Sequence, residues 1–144
     1  MKDAFGGIMN LAMIVAFLMI VSGVLGLTVS YTKVFKFKNF VISTIENYEG
    51  GKGCFDPTLN NGCFNTIKQK AERIGYAPGV EISCHGYTRV DNLFCYKKEY
   101  SGAGTNEVKY KIITQIDVDI PIINKIVGSK VFQVTGDTRT IKRR

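Results

Sequence analysis

The chain of 144 residues carries a formal net charge of +7 at pH 7 and contains four cysteines and one histidine. An apolar N-terminal stretch leaves about 110 of these residues, which is enough for one small domain with its own core. The basic balance favours an anionic neighbour such as lipid headgroups, a cell-wall polymer or nucleic acid, and it does not choose among them.

The N-terminal stretch of residues 4–31 has no charged side chain and reads AFGGIMNLAMIVAFLMIVSGVLGLTVSY. About 20 apolar residues cross the hydrocarbon core of a bilayer as a helix, so this stretch is long enough to span it. A cleaved signal peptide has a shorter apolar core, of about 7–15 residues, and a small-x-small cleavage site. Residues 1–31 are therefore predicted to form a short leader and a single transmembrane anchor in contact with membrane lipid.

The helical pattern continues beyond the apolar stretch, and no proline interrupts it. Polar residues alternate with an apolar stripe at three- and four-residue spacing, which is the period of an amphipathic helix. Gly50 and Gly51 supply a stop signal. We predict one helix up to Tyr48, in which residues 32–49 carry a stripe for the domain of residues 32–144. The stripe comprises Val34, Phe37, Val41, Ile45 and Tyr48, with Lys36, Asn39 and Ser43 facing water.

Small residues recur at four-residue spacing in two parts of the apolar stretch, at Ala12 and Ala16 and then at Ser22, Gly26 and Ser30. In lipid, small side chains that permit close backbone approach mark helix association faces. Glycine and serine are also common in membrane helices, so the same pattern can arise without a partner. We predict a helix association face formed by Ala12, Ala16, Ser22, Gly26 and Ser30.

The four cysteines are Cys54, Cys63, Cys84 and Cys95. Their intervals exceed the two to four residues that usually separate paired zinc ligands, which argues against a metal site. An even cysteine count in a small domain behind an anchor fits disulfides, for which three connectivities are possible. We favour the pairs Cys54–Cys63 and Cys84–Cys95, because each joins local partners across a turn-rich segment.

The rest of the chain predicts an α+β domain. Residues 64–74 have helical spacing and are followed by Gly75 as a C-cap. Residues 80–84, 93–96 and 107–119 alternate as strands, with a turn-like stretch at 85–92, and residues 130–141 would return antiparallel to 107–119 after a short turn at 122–127. The predicted fold is a long N-terminal helix packed on about four antiparallel strands, with one short helix and two disulfides.

The orientation of the anchor can be argued in two ways. Lys33, Lys36 and Lys38 follow the anchor while only Lys2 precedes it, which would keep the C-terminal side in the cytoplasm. Disulfides, however, persist outside the reducing cytosol, and long domains cross largely regardless of flanking charge. We expect a cytoplasmic N-terminus and an extracytoplasmic C-terminal domain.

No catalytic constellation is evident in the sequence. His85 is the single histidine, and Cys84 precedes it, but adjacent residues on a strand point to opposite faces. A cysteine nucleophile would need a histidine base within reach. Aromatic residues could stack on nucleic-acid bases, although core packing explains most of them. We expect no enzymatic activity and no cofactor.

The leader Lys2-Asp3-Ala4-Phe5-Gly6-Gly7, the apolar helix that follows it and a small disulfide-bearing head resemble type IV pilin-like proteins. Within that superfamily the chain is most similar to the TadE-like minor pseudopilins of tight-adherence pilus systems. The resemblance implies that a membrane peptidase cuts after Gly6 or Gly7. The family typically has a glutamate five residues past the cut, where this chain has Leu11 or Ala12.

The resemblance implies a structural role, as a minor pilin or pseudopilin of a pilus or secretion apparatus that contacts other pilin-like or assembly subunits through its N-terminal helix. Two alternatives stay open. One is a single-pass anchored protein whose head binds a partner at the cell surface without a filament. The other is a pilin-like protein that handles DNA, for which the net charge of +7 and exposed aromatic residues are the arguments.

Overall fold

The elements of the chain follow a helix-first order in the computed structural model, which describes residues 2–58, 62–102, 106–118 and 130–142. Two α-helices and a 3₁₀ turn precede five strands. They are α1 (Lys2–Asn47), the 3₁₀ turn (Lys52–Cys54), α2 (Gly62–Ile74), β1 (Thr88–Val90), β2 (Phe94–Tyr100), β3 (Glu107–Val118), β4 (Lys130–Asp137) and β5 (Ile141–Lys142). The predicted turn at 122–127 lies outside the described residues.

Helix α1 is continuous over 46 residues, as the sequence predicts. At 1.5 Å per residue its length is about 69 Å. It ends in a Schellman motif, in which the N–H of Gly50 donates to the carbonyl of Ile45 at 2.8 Å and the N–H of Glu49 to that of Glu46 at 3.1 Å. The helix therefore ends at the predicted place, although the first left-handed residue is Glu49, with φ 50°, rather than a glycine.

The strands form one antiparallel sheet in the order β1-β2-β3-β4. Strand β4 returns along the second half of β3, with Ile116 opposite Phe132, and β5 pairs with the start of β3. Between β4 and β5, the N–H of Thr138 donates to the carbonyl of Tyr110, and the hydroxyl of Thr138 accepts from the N–H of Tyr110, both at 2.9 Å. The predicted α+β class and the antiparallel return are confirmed.

The core lies between α1, α2 and the sheet. Phe37, Val41 and Ile45 of α1 are fully buried, together with Ile67 of α2 and Ile112 of β3. Lys36, Asn39 and Ser43 are exposed, as predicted. The predicted stripe is one residue too long, because Tyr48 lies beyond the helix end and is 49% exposed. We call the described part of residues 32–144 the head. The C-terminal half of α1 is thus the core helix of the head.

The segment 80–84 is not a strand, and this part of the prediction is wrong. Strand β1, inside the stretch predicted as a turn, occupies the edge of β2 instead. The segment crosses the outer face of the sheet, where Ile82 packs with Cys95 and Ile113. Side chains hold its backbone: Asn92 accepts from the N–H of Ile82 at 2.9 Å, and Gln133 donates to the carbonyl of Ser83 at 2.7 Å.

Helix α2 begins two residues earlier than predicted and ends as predicted. Gly75 follows it with φ 64°, and the N–H of Tyr76 donates to the carbonyl of Ala71 at 2.9 Å. This second Schellman motif ends α2 and redirects the chain towards the sheet. The residue after its left-handed glycine usually packs back on the last turn of the helix.

Candidate functional site

The N-terminal half of α1 has the properties of a membrane span. Among the helices of the described residues, one is long and apolar enough to cross a membrane, with a mean hydropathy of 2.5 over its most apolar 18-residue window. None of that window is buried against the rest of the chain. A soluble protein normally buries such a surface, since large exposed apolar patches mark interaction or membrane sites. A single-pass membrane protein with a disulfide-bonded C-terminal domain is compatible with this arrangement.

The predicted association face lies on this exposed half and runs down to the head. Ala12, Ala16, Ser22 and Gly26 are exposed. Apart from the backbone of its own helix, no heavy atom of the described chain lies within 4 Å of where a side chain at Gly26 would begin. Ser30 is half-buried and lines a cavity of about 110 Å³ at the head. Four residues further on, Val34 is 4% exposed, so the small-residue face continues into the core-facing stripe.

The candidate cleavage positions Gly6 and Gly7 lie within the first two turns of α1 and are exposed. Apart from the neighbouring residues and backbone of α1 itself, no described part of the chain lies within 4 Å of where a side chain at either glycine would begin. Cleavage after either glycine stays a prediction.

The cysteines form the two bonds that the sequence favours. Cys54 is joined to Cys63, with 4.9 Å between their Cα atoms, and Cys84 is joined to Cys95, with 5.8 Å. The first bond ties the 3₁₀ turn to the start of α2, and the second holds the segment 80–84 against the sheet. Because Cys84 is oxidised in this bond, it is not a thiolate nucleophile. The neighbouring His85 is exposed.

Most aromatic side chains of the head take part in packing rather than forming an open stacking platform. Phe55 stacks on Tyr96 and on Tyr110, with ring centroids 4.1 and 4.9 Å away. Phe37 stacks on Tyr76 at 4.2 Å. These contacts join the residue after the 3₁₀ turn to the sheet and α1 to Tyr76, just beyond the end of α2, as the core-packing interpretation predicts.

Tyr76 connects the end of α2 to the sheet, a role that the sequence did not predict. Its hydroxyl lies 3.1 Å from the carbonyl of Leu93 and 3.2 Å from that of Gln115, where β2 no longer covers β3. Burial raises the pKa of Tyr76 to about 12, because the phenolate would be desolvated. The sequence offers one signal for Tyr76, because an apolar residue usually follows the left-handed glycine of a Schellman motif.

A groove opens between α1 and β4 at the end of the head nearest the exposed half of α1. Its volume is about 540 Å³, and Leu27, Tyr31, Phe35, Ile116 and Phe132 line most of it. We call this site the junction groove. Lys38, one of the basic residues that follow the anchor, lines the groove and is only 8% exposed. Its Nζ lies 3.4 Å from the carbonyl of Thr135 and 4.4 Å from the centroid of the Phe35 ring.

Two further observations bear on the class of protein. Within the described ranges, no three histidine, cysteine, aspartate or glutamate side chains come together as a metal site would require. Comparison of the chain with protein-family models, with curated proteins and with solved structures found no match.

Proposed function

We propose that this protein is a single-pass membrane-anchored structural component, of the minor pilin or pseudopilin kind, in a pilus or secretion assembly apparatus. The observation that carries the proposal is the division of one continuous helix into two halves. The C-terminal half is the core helix of the head, whereas the N-terminal half is predominantly apolar, and none of its most apolar window is buried against the rest of the described chain.

The small-residue face is the feature of the exposed half of α1 that favours packing against other helices. A solitary anchor only has to be apolar and about 20 residues long. Helix–helix packing in lipid instead relies on close backbone approach at small residues. Gly26, between Ser22 and Ser30 on this face, offers such an approach because nothing in the described chain outside its own helix covers it. The partners would be other pilin-like or assembly subunits.

The two disulfides support an extracytoplasmic head with the N-terminus in the cytoplasm. Such bonds persist in oxidising compartments and are rare in the cytosol. Lys33 and Lys36, exposed after the apolar stretch, favour the opposite orientation. The disulfides outweigh them, because flanking charge has little effect on the translocation of long domains.

Replacing Gly26 with leucine tests assembly. The change keeps the stretch apolar, so insertion should be unaffected, but the larger side chain should prevent close approach of a neighbouring helix. We expect the variant to lose co-purification with partner subunits from native membranes. Thr28→Leu is the matched control, because Thr28 lies about 160° away around the same helix.

Unchanged co-purification of Gly26→Leu would contradict association through this face and favour the second role, a solitary anchored protein whose head binds at the cell surface. Equal loss in Gly26→Leu and Thr28→Leu would also contradict it, since the effect would then not depend on the face.

A further inference from the structure

The junction groove overlaps the apolar stretch along α1. Leu27 lines the groove and lies four residues inside the charge-free stretch that ends at Tyr31. Phe132 of β4 lines the same groove and is 53% exposed. The head therefore reaches alongside about one turn of the stretch that is proposed to lie in the membrane.

Strand β4 starts at the end of the head that is nearest the exposed half of α1, as its antiparallel pairing with β3 shows. Near the membrane-proximal end, Val34 and Ile116 line one cavity. At the opposite end, the Tyr110 hydroxyl donates to the carbonyl of Gly50 at 3.2 Å. Because β4 begins opposite Val118, beyond Ile116, its first residues point towards the membrane.

The chemistry of the groove and its surroundings is that of a bilayer interface. Tyr31 and Phe35 stack at 6.3 Å, and with Phe132 they place three partly exposed aromatic rings around the groove. Aromatic side chains concentrate at headgroup level in membrane proteins. Lys33 and Lys36 are exposed on other sides of the same turns of α1, and lysines there attract anionic lipids.

We infer that the head does not stand clear of the membrane: the junction groove and Phe132 insert into the headgroup layer and bind anionic phospholipid. The apolar wall takes the upper acyl chain, and Lys33 and Lys36 contact the phosphates around α1. This inference rests on the proposed membrane anchoring. Continuity of the groove with the span, together with the exposed lysines on the same turns of α1, selects lipid over a second protein chain as the occupant.

The chain contains no tryptophan, which allows single-tryptophan probes. The probes are Phe17→Trp in the span, Phe132→Trp at the groove and Tyr100→Trp at the membrane-distal end of β2, at positions that are 65%, 53% and 67% exposed. The full chain is reconstituted in vesicles of phosphatidylcholine and phosphatidylglycerol with brominated acyl chains, and fluorescence quenching is measured.

We expect strong quenching of Phe17→Trp, quenching with a blue-shifted emission for Phe132→Trp, and neither effect for Tyr100→Trp. If Phe17→Trp is quenched and Phe132→Trp behaves like Tyr100→Trp, the groove inference is wrong while the anchor stands. If Phe17→Trp is not quenched, the proposed membrane anchoring fails and the inference fails with it. A blue shift at Phe132→Trp without quenching would indicate a second protein chain in the groove and would overturn the lipid assignment.

The anionic component is tested in the same system. Quenching of Phe132→Trp should increase when phosphatidylglycerol is added to phosphatidylcholine, and the double substitution Lys33→Gln and Lys36→Gln should abolish this increase without changing Phe17→Trp. Equal quenching in both lipid compositions would overturn the preference for anionic lipid.

Discussion

Replacing Val41 with aspartate should lower the free energy of unfolding of the head by about 3–5 kcal/mol, because an unpaired charge would be buried. Val41 is fully buried in the core where α1 meets the sheet. A small domain has only about 5–15 kcal/mol of stability in total, so the loss is a large fraction of it and should lower the thermal midpoint clearly. Thermal unfolding in detergent, followed by circular dichroism, measures the effect.

Ser43→Asp is the control for this experiment. It introduces the same charge two residues away on the exposed side of α1, where substitutions usually change stability by about 0.5 kcal/mol or less. Equal thermal midpoints for Val41→Asp and the unchanged chain would contradict the packing of α1 as the core helix of the head.

Replacing Gly50 with alanine should also destabilise the head strongly, and more than the same change at Gly75. Both glycines have left-handed backbones, with φ 65° and 64°, so each alanine costs about 1–2 kcal/mol. At Gly50 the new Cβ would lie 2.6 Å from Cε2 of Tyr110, whose ring is stacked on Phe55. Overpacking of this kind adds about 1–3 kcal/mol.

At Gly75 the nearest atom would be Nζ of Lys33, at 3.7 Å, which is an ordinary contact. The difference between the two alanine variants therefore isolates the contact of the helix end with Tyr110 from the cost of the backbone conformation. Urea unfolding of both variants measures it. Equal losses of stability would show that Tyr110 does not restrict the end of α1.

The long elements of this fold could be predicted because each has one uninterrupted period. Helix α1 lacks proline over its whole length, and its C-terminal half alternates apolar and polar residues as a helix buried on one side must. Strand β3 alternates because one face, including Ile112 and Ile116, packs on the helices. The local disulfide pairs followed from short, turn-rich separations.

The segment 80–84 could not be placed from its period. In this loop Ile82 is buried on the sheet and Cys84 is half-buried, so alternation of apolar residues alone does not distinguish it from a strand. The packing of the whole domain decides whether the segment 80–84 or β1 pairs with the edge of β2, and in the structure β1 does. The burial of Lys38 was not predicted, because a lysine can bury its long stem while its ammonium group reaches a carbonyl.

The junction groove and the contacts of Tyr76 were likewise beyond sequence reasoning. The groove brings Leu27 together with Phe132, which are far apart in the chain and carry no shared motif. Tyr76 is adjacent to a recognisable glycine cap, but its partners on β2 and β3 depend on the packing of α2 against the sheet. The small-residue face was visible in the sequence, and the structure shows how it meets the head at Ser30.

Photo-crosslinking within native membranes tests the central claim, association through one face of the exposed half of α1, most directly. Met19 lies about 20° from Gly26 around the helix, whereas Phe17 lies about 180° from it. With a benzophenone amino acid at Met19 we expect covalent adducts with another pilin-like or assembly subunit, and at Phe17 adducts with lipid. Lipid adducts alone at both positions would contradict the claim.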